Sequence, residues 1–489
     1  MNVLWIVWDA ARYDYTQEYA PFLTSLADKN ISFERAISPS GWSLPSHISM
    51  FTGKRPTEHG HWRMDENIET APLPHQLGNK GYTTYGISAN GFLSHRQGFD
   101  KFFDDFRGLN PGILFPKAFN PLEVVEGGES VSKIAPQEIL NRVAESDEKV
   151  KSLINISTSG LFYIMSNSML SKYITHPWFS DYLSFNYNKH RLDNTLSNII
   201  SEESFTDTPF FIYTNFFSTH HPYAPKEKYQ REVTGRSFSQ SELETLAELS
   251  HPLEFLDREY SGTGVEEEEI RKIRKLYAAE IRSSDESLRK AIKQLKNLNL
   301  YDDTLVVVTA DHGENLGEKG PLGDRMMGHD RSASDNQLHV PLVIANPRLN
   351  SETIRSPFNT RHLYNILSSP VPFINNQKKM VQEYTDSFVI SETPVQGVSD
   401  VFKTQYPNIP EKIVYRDLVV GYSDRWKVIL GSQDDSVALK QGKQRPIANA
   451  PSKLVKKCRN QLEKIISESA NNYGINNTAK DRLQKLGYL

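Results

Sequence analysis

Residues Ser40–His47 read SGWSLPSH, a short polar stretch that sets serines, a proline and a histidine side by side. Elsewhere, three runs of β-branched and aromatic residues each end in groups able to bind a metal or carry a proton. NVLWIVWD ends in Asp9, DTLVVVTADHGE delivers Asp311 and His312, and TPFFIYTNFFSTHHPY ends in the pair His220–His221. Two carboxylates and an imidazole make a mixed oxygen and nitrogen donor set that suits Mn²⁺, Mg²⁺, Ca²⁺ or Zn²⁺. A serine hydroxyl added to that set is both a ligand and an activated nucleophile, because a cation lowers the pKa of an oxygen bound to it. Each residue also has a plainer reading. Asp9 can cap a strand end, Asp311–His312–Gly313 can be an ordinary turn, and Ser43 can cap a helix with Pro45 in its first turn. A nucleophile at a helix N-terminus would gain from the same exposed N–H groups.

The three runs look like buried parallel strands, and in open α/β sheets ligands sit beyond the strands' carboxyl ends. Between them, LYAAEIRSSDESLRKAIKQLKNL places Leu276, Ile281, Leu288, Ile292 and Leu295 on one stripe, the pattern of a helix packed on a sheet. Strands alternating with such helices predict a doubly wound α/β fold, a large mostly parallel or mixed sheet flanked by helices. Residues 110–205 break that rhythm and are expected to form a mostly helical insertion over the site. Within them GLFYIMSNSMLSKYI is expected as a buried helix, since its serines, Asn167 and Lys172 argue against a membrane span. KIVYRDLVVGYSDRWKVIL reads as two antiparallel strands joined by a polar turn, with a charged helix after it. The expected division falls near residue 375, between a catalytic part (1–375) and a smaller C-terminal part (376–489) with an antiparallel sheet and a helix.

Composition narrows the function. A net charge of −4 over 489 residues gives no general case for nucleic acid or an anionic membrane. The single cysteine, Cys458, excludes a disulfide framework and a cysteine-rich zinc site. The apolar run Val3–Trp8 is too short for a signal-peptide core or a membrane span, so a cytoplasmic enzyme is expected.

Several segments, in order along the chain, resemble the sulfatase family of the alkaline phosphatase superfamily. NVLWIVWDAARYD resembles the family's opening strand with its metal-binding aspartate. APFLTSLADKNISFERAISPSGWSLPSHISMFTG resembles the approach to its nucleophile motif, Cys/Ser-x-Pro-Ser-Arg followed by Thr-Gly. NFFSTHHPYAP resembles the stretch with a catalytic histidine, VVVTADHGENLGEKG and GHDRSASDNQLHVPLVI the second metal motif and the strand after it, and RLQKLGYL the usual terminus. The resemblance implies an alkaline phosphatase-like fold with Ser43 as nucleophile, Pro45, Ser46, Thr52 and Gly53 being in register. Asp9, Asp311, His312 and Ser43 then hold one divalent ion, with Ca²⁺ or Mn²⁺ preferred and Mg²⁺ or Zn²⁺ open. His220 contacts the ester and protonates the leaving oxygen, and His329 lies near the substrate oxyanion. A single ion is implied because Phe216 or Phe217 and Ser218 stand where two-zinc relatives carry a further Asp-x-x-x-His set.

Four positions depart from the family pattern. The nucleophile is serine, whereas formylglycine is usually made from cysteine, although some relatives oxidise a serine. His47 stands where modified sulfatases carry arginine. Ala89 and Gly91 replace a Lys-Trp-His grip on sulfate, leaving Asn90 as a polar substitute or a structural residue. The metal motif ends Asp-His rather than Asp-Asn, as in relatives that cleave phosphonate esters or transfer phosphoglycerol. His47, Asn90, His220 and His329 are therefore the expected substrate-binding residues.

Other residues read as scaffold. Arg12 and Asp14 either orient Asp9 or form a surface ion pair, Glu314 braces the Asp311–His312 turn, and His59 and His339 are structural. The expected activity is a sulfate ester hydrolase working by double displacement through Ser43, with or without conversion to formylglycine by a maturation enzyme. A phosphoester or phosphonate hydrolase, or a headgroup transferase, using plain Ser43 is the alternative. A catalytically silent binder of anionic glycans is the non-enzymatic one. The expected substrates are sulfated or phosphorylated small molecules or glycans, with nucleic acid excluded and no transmembrane segment.

Overall fold

The computed structural model describes residues 1–62, 72–94, 98–109, 141, 143–144, 149–150, 152–153, 191–204, 206–329, 331–385, 387–395, 406–433 and 435–472. The main sheet has eight strands. In chain order they are β1 (Asn2–Trp8), β2 (Ile31–Phe33), β3 (Thr83–Ser88), β4 (Asp105–Gly108), β5 (Phe210–Phe216), β6 (Thr304–Ala310), β7 (Leu342–Ala345) and β8 (Glu352–Ile354). Across the sheet they run β8-β2-β7-β6-β1-β5-β3-β4. The neighbours β6, β1, β5, β3 and β4 are mutually parallel, and β7 runs antiparallel to both β6 and β2. The sheet is thus mixed, within the expected fold class, and the three strands read from the apolar runs are parallel to one another.

Every residue of β5 and β6, and all of β1 beyond Asn2, is buried, which is why these strands read as continuous apolar runs rather than alternating ones. The helix Glu267–Asn297 covers the sheet. Leu276, Ile281, Leu288, Ile292 and Leu295 on its apolar stripe are all buried in the main core. The insertion expected over 110–205, with GLFYIMSNSMLSKYI inside it, lies almost wholly outside the described residues, and so does RLQKLGYL. The described end of that region, 191–203, is helical and buries Leu192, Leu196, Ile199 and Ile200 in the same core.

Register fixes what the sheet presents. Trp8 stands level with Phe216 on one side and with Ala310 on the other. Asp9, Phe217 and Asp311 therefore leave the sheet together at its carboxyl edge. Ser88, the last residue of β3, pairs with Asn215, so Asn90 leaves beside them.

A second sheet is antiparallel throughout: β9 (Val389–Thr393), β10 (Leu418–Tyr422), β11 (Trp426–Gly431), β12 (Ser436–Lys440) and β13 (Lys443–Arg445). The predicted strand pair of KIVYRDLVVGYSDRWKVIL is β10–β11. The helix Ser452–Asn472 lays Leu454, Cys458, Leu462, Ile465 and Ile466 on this sheet at helical spacing. Burial pushes the Cys458 thiol up to about 12, so it packs as a neutral apolar group. The helix Gln377–Tyr384 still contributes Val381 to the main core, and the second sheet begins at Val389.

Candidate active site

Ser43 opens the helix Ser43–Thr52, in which every residue from Ser43 to Phe51 is buried. Trp42 precedes it in extended conformation, and no side chain caps the helix. The capping alternative for Ser43 is therefore not what the structure contains. Its Oγ turns away from the helix, 3.1 Å from His312 Nε2 and 3.5 Å from Asp9 Oδ2. His312 Nδ1 lies 2.9 Å from the carbonyl oxygen of Gly313, which can only accept. That places the proton on Nδ1 and leaves the Nε2 lone pair facing the serine hydroxyl, which donates to it.

Asp9, Asp311 and His312 are completely buried, and one ligand atom from each lies within 4.8 Å of the others. Asp311 Oδ1 accepts from the N–H groups of Ala10 (3.1 Å) and His312 (2.9 Å). Asp9 Oδ2 accepts from Asn90 Nδ2 at 2.6 Å and Asn215 Nδ2 at 3.4 Å. The other oxygens, Asp9 Oδ1 and Asp311 Oδ2, are buried with no hydrogen-bond partner among the described residues. Burial, then the charge on Asp311, pushes the Asp9 carboxyl well above its ordinary range. Burial works on Asp311 in the same sense, yet His312 and His47 hold it below the usual carboxylate value. Two buried carboxylates side by side with orphaned oxygens are costly unless a cation lies between them. The donor set fits one divalent ion.

The turns that carry these ligands are tightly held. Ala10 adopts a left-handed conformation (φ 58°), a small local strain of the kind concentrated at functional sites. Tyr277 Oη donates to its carbonyl oxygen at 2.8 Å, and Thr219 Oγ1 donates to the carbonyl oxygen of Asp9. Ser46, in register with the family's nucleophile motif, donates to the carbonyl oxygen of Asp311 at 2.5 Å, and Ser38 reaches the same oxygen. Gly313 sits where a Cβ would fall 2.0 Å from the carbonyl oxygen of Asn336, so no side chain fits after His312. The second sheet braces the nucleophile's approach: the Gly41 N–H donates to Thr393 Oγ1 at 3.0 Å and Trp42 Nε1 to the Pro394 carbonyl at 3.2 Å.

The imidazoles expected at the substrate converge on the same edge. His329 lies 4.2 Å from His312 and 5.1 Å from His220, ring centre to ring centre. His329 Nδ1 pairs with Glu314 Oε1 at 2.9 Å, and Tyr223 Oη donates to Glu314 Oε2 at 3.2 Å. Glu314 thus orients His329. His220 Nδ1 donates to the carbonyl oxygen of His221 at 2.6 Å, and Phe217 stacks on its ring at 4.6 Å. Burial pulls His220 down to about 4, and burial with the neighbouring imidazoles holds His329 well below 6.5.

His47 is fully buried. Its Nδ1 donates to the Ser43 carbonyl oxygen at 2.8 Å and stands 3.5 Å from Asp311 Oδ2. Arg12 is buried as well and reaches out to two carboxylates nearer the surface, the exposed Asp14 at 2.7 Å and the partly exposed Glu318 at 2.6 Å. His59 pairs with Ser49 and His61, and His339 stacks on Tyr13. Ser38, Asn215 and Thr219 were missed in the sequence. Thr214–Asn215, a polar pair inside an apolar strand, was the available signal for Asn215.

Several known proteins are similar to this chain. The choline-sulfatase of Rhizobium meliloti (strain 1021) is 38% identical over 92 residues, 19% of this chain and 17% of that protein. The matched segment thus spans under a fifth of that relative's length. The phosphonate monoester hydrolase of Agrobacterium radiobacter aligns with a TM-score of 0.57 and 16% identity over 96% of this chain and 95% of that one. A structure solved with its substrate D-glucosamine-2-N, 6-O-disulfate aligns with a TM-score of 0.58 and 12% identity over 96% and 98%. At such identities these two likenesses speak for the fold. Among the described residues no helix is long and apolar enough to cross a membrane. The sequence pattern of the Sulfatase family matches residues 1–112 and 140–368, and the chain belongs to that family.

Proposed function

We propose that the protein is a metal-dependent ester hydrolase that cleaves a sulfate ester by double displacement through Ser43. The observation that carries this reading is the Ser43 hydroxyl beside His312 Nε2 and Asp9, next to two orphaned carboxylate oxygens. Asp9, Asp311, His312 and Ser43 would hold one divalent cation, Ca²⁺ or Mn²⁺ ahead of Mg²⁺ or Zn²⁺, which when bound lowers the pKa of a coordinated hydroxyl. Ser43 Oγ attacks sulfur, its proton passing to solvent, and the bond from sulfur to the leaving alcohol oxygen breaks. A proton from His220 goes to that oxygen. His220 is neutral in the free protein at neutral pH, and the charge of an incoming anionic ester favours its protonation. His329, held by Glu314 through Nδ1, donates to the non-bridging oxygens through Nε2, which takes up a proton with the incoming anionic ester as His220 does. Water then attacks the serine ester and frees the enzyme. His47 and Asn90 act in this reading through Ser43, Asp311 and Asp9, which they touch, rather than through the substrate. The catalytic part (1–375) and the C-terminal part (376–489) divide near residue 375.

Phosphoester or phosphonate hydrolysis is the second reading. It is favoured by serine at residue 43, since an unmodified serine ester of phosphate is displaced by water more readily than one of sulfate. Mass spectrometry of the peptide bearing Ser43 tests both. Formylglycine at Ser43 supports the sulfatase, plain serine that accumulates a phosphoryl group supports the second reading, and labelling confined to another residue rejects both.

A further inference from the structure

Two cavities open where the second sheet meets the far end of the nucleophile's helix. One, of about 230 Å³, is lined by three cations (Arg55, Arg361 and Lys457) and three neutral polar side chains (Asn359, His362 and Gln461), with Phe388, Val389 and Ile390 completing it. The other, of about 520 Å³, is lined by Lys453, Lys456 and Lys457 with Ser387, Phe388 and Asn460. Sharing Lys457 and Phe388, they form one trough, and no carboxylate is among the described residues lining either.

The three lysines are not placed there for the fold. Lys453, Lys456 and Lys457 occupy the first two turns of the 21-residue helix Ser452–Asn472, where the positive end of the helix dipole disfavours them. Lys453 and Lys456 are exposed and form no ion pair among the described residues, and Lys457 stands over the Phe388 ring at 5.6 Å. Arg55 is partly engaged, with Glu58 and with Glu392 at 3.6 Å, and Arg361 Nη1 donates to the Gly53 carbonyl oxygen at 2.7 Å. Inside the smaller cavity His362 is 9% exposed, and its Nδ1 is buried without a hydrogen-bond partner among the described residues. Burial and Arg361 hold His362 down to about 3, so it is a neutral donor and acceptor beside the cations. Gln461 uses its carbonyl oxygen to accept from Thr57 at 3.1 Å, which leaves the amide N–H groups for another acceptor.

We infer that this trough is a second binding site, for a sulfated sugar chain, remote from Ser43. Cations spread over two joined cavities match an oligomer bearing several sulfate groups better than a single small anion. Neutral amides and an imidazole between the cations match sugar hydroxyls. A single-stranded nucleic acid would call for several aromatic platforms, and the trough offers one, Phe388. Gly53 closes the ten-residue helix that Ser43 opens, so the trough begins about 15 Å from the nucleophile along that axis. A chain held there gains avidity without new contacts at the reacting ester. The choice of a sulfated ligand rests on the ester class proposed above; the basic trough does not.

The test is calorimetric titration of the Ser43→Ala protein with a size-defined heparin octasaccharide, so that the outcome is independent of turnover. Binding is expected to weaken at least ten-fold in Lys453→Gln/Lys456→Gln/Lys457→Gln, with an unchanged Tm and a shallower salt dependence. Lys440→Gln/Lys443→Gln/Arg445→Gln, which removes cations from β12 and β13, is expected to bind as the parent does. Absence of octasaccharide binding, equal loss in both triple variants, equal affinity in the first, or tighter binding of a single-stranded RNA of matched charge would each overturn the inference.

Discussion

The side-chain amide of Asn90 donates to Asp9 Oδ2 at 2.6 Å, inside a region closed to solvent. A hydrogen bond to a buried carboxylate is worth about 1.5–3 kcal/mol, and it fixes which Asp9 oxygen is left for a cation. Asn90→Ala should weaken Mn²⁺ binding by about 10–100-fold in a calorimetric titration. Asn90→Asp should weaken it too, because its charge repels Asp9 where the amide now donates. Unchanged metal affinity with a raised KM in Asn90→Ala would instead make Asn90 a substrate contact.

Chelation should destabilise the protein. Without a cation, Asp9 and Asp311 face each other in full burial, and the Asp9 carboxyl is pushed up to relieve them. A ligand present at a hundred times its Kd stabilises by about 2.7 kcal/mol. EDTA should therefore lower the Tm by several degrees, and added Ca²⁺ or Mn²⁺ should restore it. A Tm indifferent to chelator would remove the cation from the account.

His59 gives a pH dependence of known sign. His61 N–H donates to its Nδ1 at 3.0 Å and its Nε2 pairs with Ser49 Oγ at 3.1 Å, so only the neutral ring satisfies both. Burial, with His61 beside it, pulls its pKa from 6.5 to about 3. Below 6.5 the unfolded chain takes a proton that the folded one refuses. Stability from this residue is complete above that pH and is lost toward pH 3, at about 1.4 kcal/mol per pH unit. Urea unfolding across this window should show the slope in the parent and a shallower one in His59→Gln. Equal slopes would assign the acid sensitivity elsewhere.

The convergence of Asp9 and Asp311, the candidate metal ligands, was legible because strand ends announce themselves: each follows a run of β-branched and apolar residues, and parallel register brings such ends together. The stripe of the helix Glu267–Asn297 and the β10–β11 pair were readable from periodicity alone. Ser38, Thr219 and Thr393 were not, since an isolated hydroxyl has no pattern and acts here through contacts between residues hundreds of positions apart. Glu314 shows the converse. Its neighbourhood in sequence suggested a brace for the turn before it, whereas the hairpin Asn315–Lys319 with Arg325–Gly328 folds His329 back onto it.

Turnover by Ser43→Ala is the most direct test of the central claim, that one serine oxygen at a buried cation site makes and breaks the ester bond. The variant removes a single oxygen from a packed helix start, so its circular dichroism should match the parent. The account predicts a loss of at least about a thousand-fold in kcat for any sulfate or phosphate ester the parent cleaves. Activity within ten-fold of the parent would contradict it.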